Sequence, residues 1–332
     1  MSLKFLLRCM MPGTPERRVL ATSPFEVFKA YKEGRKYIAY KVFEVLKKSG
    51  VLDEMDGKSL LDLEYDVKLT RLVIDILSKH GYLEVRSGVV RVLRREAERP
   101  KVTSPYLLGE LIPVYDDVLE TLPDALRTGE RRFTWLSREA KAHFMKFLDN
   151  TGYNLARAWL IHWSGFDKLP PNSLVLDVGA GMGLSTMALL RFTKARVVAI
   201  DPDPVSLDVA RDYITSLGLD ASRVEFIVGY GERLGDYVRE PADAAFMVNV
   251  LHWCDDPVLV LRNVSEALRE GGRVAMIQVT YKGYEEGHVI VYLMGSNIPP
   301  ERSELMGWFS LASFDVVKTA KYPMPAYLLR KR

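Results

Sequence analysis

Cysteine is nearly absent. Cys9 and Cys254 are the two in 332 residues, far apart and without the paired spacing of metal ligands. That excludes a disulfide framework and a zinc knuckle, and it fits an intracellular, reducing compartment. Glutamine occurs once, at Gln278, and asparagine is scarce, a shortage of thermolabile amides that points to a thermophilic source. An excess of one charge is lacking too: 46 basic and 43 acidic residues nearly cancel to +3, so a polyanion is not the expected partner. No run approaches the roughly 18 apolar residues of a membrane span. The opening MSLKFLLRCMMPGTPERR has the short apolar run of a weak signal peptide, but Arg8, Arg17 and Arg18 break it up, and the chain is expected to be cytoplasmic.

What is present centres on Ser173 to Ala188, SLVLDVGAGMGLSTMA. Leu174, Val175 and Leu176 suit a buried parallel strand, and Gly179, Gly181 and Gly183 follow at once. Leu184, Met187, Leu189 and Leu190 then recur at helical spacing, so the turn opens a helix whose first N–H groups face back over the strand end. A dinucleotide fingerprint would place a third glycine at 184, where Leu184 stands, and the carboxylate of Asp177 precedes the first glycine by two residues. A pyrophosphate is poorly served by that carboxylate, whereas an ammonium or sulfonium group is attracted to it. The pattern therefore favours S-adenosylmethionine over NAD. A second apolar strand, 196–200, ends in Asp201 about 20 residues after the turn, where an acid reaches a ribose.

Together with AIDPDP at 199–204, ADAAFMVNVLHW at 242–253 and LRNVSEALREGGRVAMI at 261–277, the DVGAGMG of 177–183 resembles the class I S-adenosylmethionine-dependent methyltransferases. Within them it is similar to small-molecule O-methyltransferases that carry an N-terminal winged-helix dimerisation domain. The resemblance implies S-adenosylmethionine as cofactor, S-adenosylhomocysteine as product, a homodimer, and cofactor contacts at Asp177, Gly179, Gly181, Gly183, Asp201, Pro202, Tyr230, Gly231 and Asn249. Tyr230 stands where relatives usually carry an acid on the adenine amine, so Glu232 or a backbone group is the alternative there. His252 ends the fourth expected strand and is the candidate general base, since histidine titrates in the useful range. The resembled enzymes have Asp-Trp after their catalytic histidine, whereas here Trp253 follows directly, which leaves a packing role open.

The order of elements completes the expectation. Helical patterns over 24–49, 59–64 and 68–80, then a hairpin over 82–93, read as a winged helix occupying domain 1–103. Its third helix sets Arg71 and Lys79 against Asp75, with Asp62, Glu64 and Asp66 upstream, which is not a DNA-recognition helix. The basic wing, from Arg86 to Lys101, is interrupted by Glu96 and Glu98. Domain 104–332 opens with a helical segment, 104–165, expected to cover the substrate; Phe144, Trp159, His162 and Trp163 are its candidate pocket residues, with core packing as the rival role. Strands near 173–178, 196–200, 224–228, 243–248 and 273–279 alternate with helices, and a last hairpin covers 314–319 and 325–330. That pattern is an α/β, doubly wound, Rossmann-like seven-stranded sheet. The expected reaction is O-methylation of a small aromatic or quinone-like hydroxyl, an in-line displacement that depends on positioning in a dry cavity. C- or N-methylation, and a winged-helix nucleic-acid binder or RNA methyltransferase, are the alternatives. No metal is implied, because histidines and carboxylates form no ligand-like cluster in sequence.

Overall fold

The computed structural model of the chain describes residues 24–104, 107–131, 148–149, 151–283, 285–321 and 324–332. Local signals set the N-terminal elements. Helix α1 (Pro24–Lys48) stops before Gly50, whose φ of 81° starts the short α2 (Val51–Met55). A 3-10 turn at Leu60–Asp62 stands where a helix over 59–64 was expected; its N-cap Ser59 satisfies only Leu61 N, and no apolar face is buried to extend it. In α3 (Val67–Lys79), Asp66 caps Leu69 N at 2.7 Å, and Leu69, Leu72, Val73, Ile76 and Leu77 are buried at helical spacing. Strands β1 (Leu83–Arg86) and β2 (Val89–Val92) pair antiparallel around Ser87 and Gly88, both at positive φ, as a two-residue hairpin requires. Helices α4 (Ile112–Leu119) and α5 (Leu122–Thr128) follow.

In the helical segment expected over 104–165, Thr151–Ser164 forms α6; Phe144 lies outside the described residues. From there strands and helices alternate: β3 (Leu174–Val178), α7 (Leu184–Phe192), β4 (Arg196–Asp201), α8 (Pro204–Ser216), β5 (Val224–Val228), β6 (Ala242–Val248), α9 (Pro257–Ala267) and β7 (Leu268–Ile277). Then come α10 (Glu285–Leu293), α11 (Arg302–Leu311), β8 (Phe314–Ala320) and β9 (Ala326–Lys331). The seven strands of this sheet run in the order β5-β4-β3-β6-β7-β9-β8, with β9 antiparallel to both of its neighbours and the other pairings parallel. This is the α/β fold that the alternation predicts.

The central strand explains the layering. Val175 belongs to the core under α6 and α7, while Leu174, Leu176 and Val178 belong to the core on the other face with Val260, Leu261 and Phe309. Successive side chains alternate, so Asp177 shares Val175's face and points toward α6 and α7. Because β4 lies on one side of β3 and β6 on the other, connections diverge from the carboxyl end of β3 and leave a crevice there.

By compactness the described chain forms two units, one holding 24–131 with 281–298 and the other holding 148–280 with 299–332. This division does not follow a boundary at 103/104, because α4 and α5 group with the N-terminal helices, and so does α10, which the chain inserts between β7 and β8. Charge explains the grouping of α10. Glu286, fully buried in its first turn, accepts from Arg35 Nε at 2.9 Å, Arg35 Nη2 at 3.0 Å and His80 Nε2 at 2.8 Å, and Lys79 pairs with Glu285. Tyr281 also donates to Asp75, and Tyr292 to Asp66 at 3.3 Å.

Candidate functional site at the carboxyl end of the central strand

Three glycines shape the turn after β3, and two of them are fixed by packing. A Cβ at Gly179 would lie 2.7 Å from the methyls of Val250, and one at Gly183 would lie 2.6 Å from Ala210 Cβ; both sit at positive φ. Gly181, with φ of 52°, has nothing within 4 Å of the same position, so the turn is open there. Asp201, at the end of β4, is tied to this turn. Its Oδ2 accepts from Gly181 N at 2.8 Å and its Oδ1 from Asp203 N at 3.0 Å, which aims the carboxylate along the crevice. Pro202 is exposed beside it.

Asp177 lies underneath. It is 1% exposed, and Thr186 Oγ1 of α7 donates to its Oδ2 at 2.6 Å, while its Oδ1 has no hydrogen-bond partner. Burial raises its acid to about 7, against the opposing pull of the Thr186 hydrogen bond and the nearby Arg157 charge. Arg157 comes from α6, which packs on α7; it is buried, its Nη1 donates to Asn154 Oδ1 at 3.4 Å, and its Nε is unpartnered. Burial lowers the guanidinium to about 10. An unpaired acceptor and an unpaired donor are thus buried in one electrostatically coupled region. Nothing in the pattern reading singled out Arg157, although an arginine within the otherwise apolar run LARAWLI is itself a signal, since buried charge demands a partner.

On the β6 side, Asn249 sits at φ 57° and its Oδ1 accepts from Val279 N at 3.1 Å, so its side chain caps the strand end. His252, in the turn Leu251–Trp253, is 4% exposed, and its Nδ1 lies 3.1 Å from Gln278 Nε2. Tyr230 is exposed at the start of the turn after β5. Gly231 lies tight on α9, with Val260 2.9 Å from a would-be Cβ, and Asn263 Nδ2 pins the Glu232 carbonyl at 2.6 Å. Cys254 is no nucleophile: burial and the carboxylates of Glu232, Asp255 and Asp201 push its thiol up to about 12. Those same carboxylates make the rim negative.

The expected pocket residues of α6 fall elsewhere. The helix runs back down the sheet, so its last turn feeds the start of β3; Ser164 O accepts from Arg273, which is in register with Val175 through Ala244. His162 pairs with Asp167 at 3.1 Å, Trp159 stacks on Trp163 at 5.3 Å, and Lys318 sits 4.4 Å over the Trp163 ring. Trp159 and Trp163 therefore edge the core at the amino end of the strands, and Arg157 is the residue of this helix coupled to Asp177. Among the described residues no group of histidine, cysteine and carboxylates could hold a metal, and no helix is long and apolar enough to cross a membrane.

Residues 176–276 match the family description "Methyltransferase domain". The chain carries a methyltransferase domain. It is similar to methyltransferase GfsG of Streptomyces halstedii, 33% identical over 109 residues that are 33% of this chain and 38% of that protein. It is also similar to the ribosomal protein L11 methyltransferase of Azotobacter vinelandii, 28% identical over 158 residues, 48% of this chain and 50% of that one. The chain thus spans half or less of the length of these relatives. Its fold is that of the CurJ carbon methyltransferase (TM-score 0.63, 15% identity, 91% of each chain). It is equally that of an O-methyltransferase family 2 protein from Planctomyces limnophilus in complex with apigenin (TM-score 0.57, 18% identity, 93% of this chain and 95% of that one). The expected kinship with class I methyltransferases stands on the domain match, and the likeness to these two structures is one of fold.

Proposed function

We propose that the chain is an S-adenosylmethionine-dependent methyltransferase that methylates a small aromatic or quinone-like hydroxyl. The observation that carries this reading is the unpartnered Oδ1 of buried Asp177 beside the open turn at Gly181. The residues fit the cofactor group by group. Asp177 Oδ1 suits the ammonium, Arg157 Nε suits the carboxylate, and Asp201 suits the ribose hydroxyls. Gly179, Gly183, Pro202, Tyr230, Gly231 and Asn249 frame the same crevice, with the negative rim of Asp201, Glu232 and Asp255 attracting a cation. When bound, the cofactor supplies an electrophilic methyl on a positively charged sulfur. The protein's part is to hold that group and the acceptor in line and to keep water out. The general base expected at His252 does not enter this reading, because Gln278 Nε2 donates to its Nδ1 and so leaves the ring proton on Nε2. A homodimer formed through the N-terminal winged-helix unit belongs to the same proposal, supported by the resemblance and by Leu61, 94% exposed.

Carbon methylation is the second reading, favoured by the likeness in fold to CurJ. Calorimetric titration with S-adenosylmethionine tests the cofactor, and Asp201→Ala should weaken it by roughly tenfold or more, through loss of charge-assisted hydrogen bonds. Transfer of labelled methyl into an extract of the source organism, split into small-molecule, protein and RNA fractions, tests the acceptor. Label in protein or RNA would overturn the small-molecule reading.

A further inference from the structure

The single glutamine of the chain has an assignable orientation. Gln278, just past β7, is fully buried, and two backbone groups fix its amide: Leu251 N donates to Oε1 at 3.1 Å, and Nε2 donates to Val279 O at 3.0 Å. Exchanging oxygen and nitrogen would set donor against donor at Leu251 and acceptor against acceptor at Val279, so the network admits one orientation. The second Nε2 hydrogen then faces His252 Nδ1 at 3.1 Å. An amide N–H can only donate, so Nδ1 must present its lone pair and the ring proton must sit on Nε2. A carboxylate at the same place would do the reverse, accepting from Nδ1–H and leaving the Nε2 lone pair to take a proton.

We infer that Gln278 is a positioning residue that locks His252 as the neutral Nε2–H tautomer, a hydrogen-bond donor and not a proton acceptor, so that His252 is not the base of the reaction. The tautomer rests on the hydrogen bonds alone; its bearing on the reaction rests on the methyltransferase reading. Protonating the ring would press Nδ1–H against the Gln278 N–H, with His252 4% exposed and the glutamine fully buried. An Nε2–H has no lone pair with which to take the acceptor's proton.

Nitrogen-15 NMR of protein labelled in its five histidines decides the tautomer without cofactor or acceptor. His252→Gln identifies the signals. A pyridine-type Nδ1 and a pyrrole-type Nε2 at neutral pH are expected, and Gln278→Glu should exchange the two. A pyrrole-type Nδ1 in the unmodified protein would overturn the inference, and that spectrum suffices if the variant does not fold.

Discussion

Asp177 at the end of β3 and Glu286 at the start of α10 are both buried carboxylates, one in each compact unit, and they are held in opposite ways. Glu286 is surrounded by cations: hydrogen bonds from His80 and Arg35 outweigh its burial and hold its acid down to about 2. Asp177 has one hydroxyl donor and one bare oxygen, and burial raises its acid to about 7. The first arrangement is complete and joins elements distant in sequence. The second is unfinished, and burying a polar atom without a partner is tolerated chiefly where a ligand is to complete it.

The contrast can be broken by exchange of sign. Glu286→Ala should destabilise its unit by about 3 kcal/mol, since Arg35 would lose its bidentate carboxylate and His80 its acceptor; urea melts and amide exchange in α3 report it. Because the folded acid lies below its ordinary 4.5, the stability it contributes is complete above that pH and is lost as pH falls through about 2. Asp177→Asn should act the other way, stabilising the cofactor-free protein above pH 7 by roughly 2 kcal/mol while weakening cofactor binding. Here the folded acid lies above its ordinary 3.8, so its contribution is complete below that value and fades as pH rises through about 7. Thermal melts of the variant and the unmodified protein should therefore diverge more at pH 8 than at pH 5, since the loss begins at the ordinary 3.8 and is complete only above about 7; equal divergence at both would end the comparison. The smallest effect is expected of Thr186→Val, which strips Asp177 of its hydroxyl donor and should cost about 1 kcal/mol, with the carboxyl titrating higher by NMR.

Much of the site was legible because its signals are local. The apolar triplet, the alternate glycines, Asp177 and Asp201 lie in two short stretches, and the period of the β3 side chains fixes which face each takes. Arg157 and Gln278 were not legible as partners, because their neighbours arrive from Asn154 and Asp177 in one case and from Leu251 and His252 in the other. Trp159, His162 and Trp163 could have been placed better: a helix that immediately precedes a strand in this fold ends at that strand's start, far from the carboxyl-end crevice. The grouping of α10 with the N-terminal helices depends on ion pairs across more than 200 residues, for which periodicity has no signal.

That insertion has a consequence for biosynthesis. Arg35, Lys79 and His80 leave the ribosome long before Glu285 and Glu286, and the strands from β3 to β7 are made in between. Until then Arg35 and Lys79 lack the acids that pair with them in the folded unit. A fragment ending after α5 would lack the acids that complete it, so truncation there, or removal of 281–298, should leave Arg35 and Lys79 without these partners.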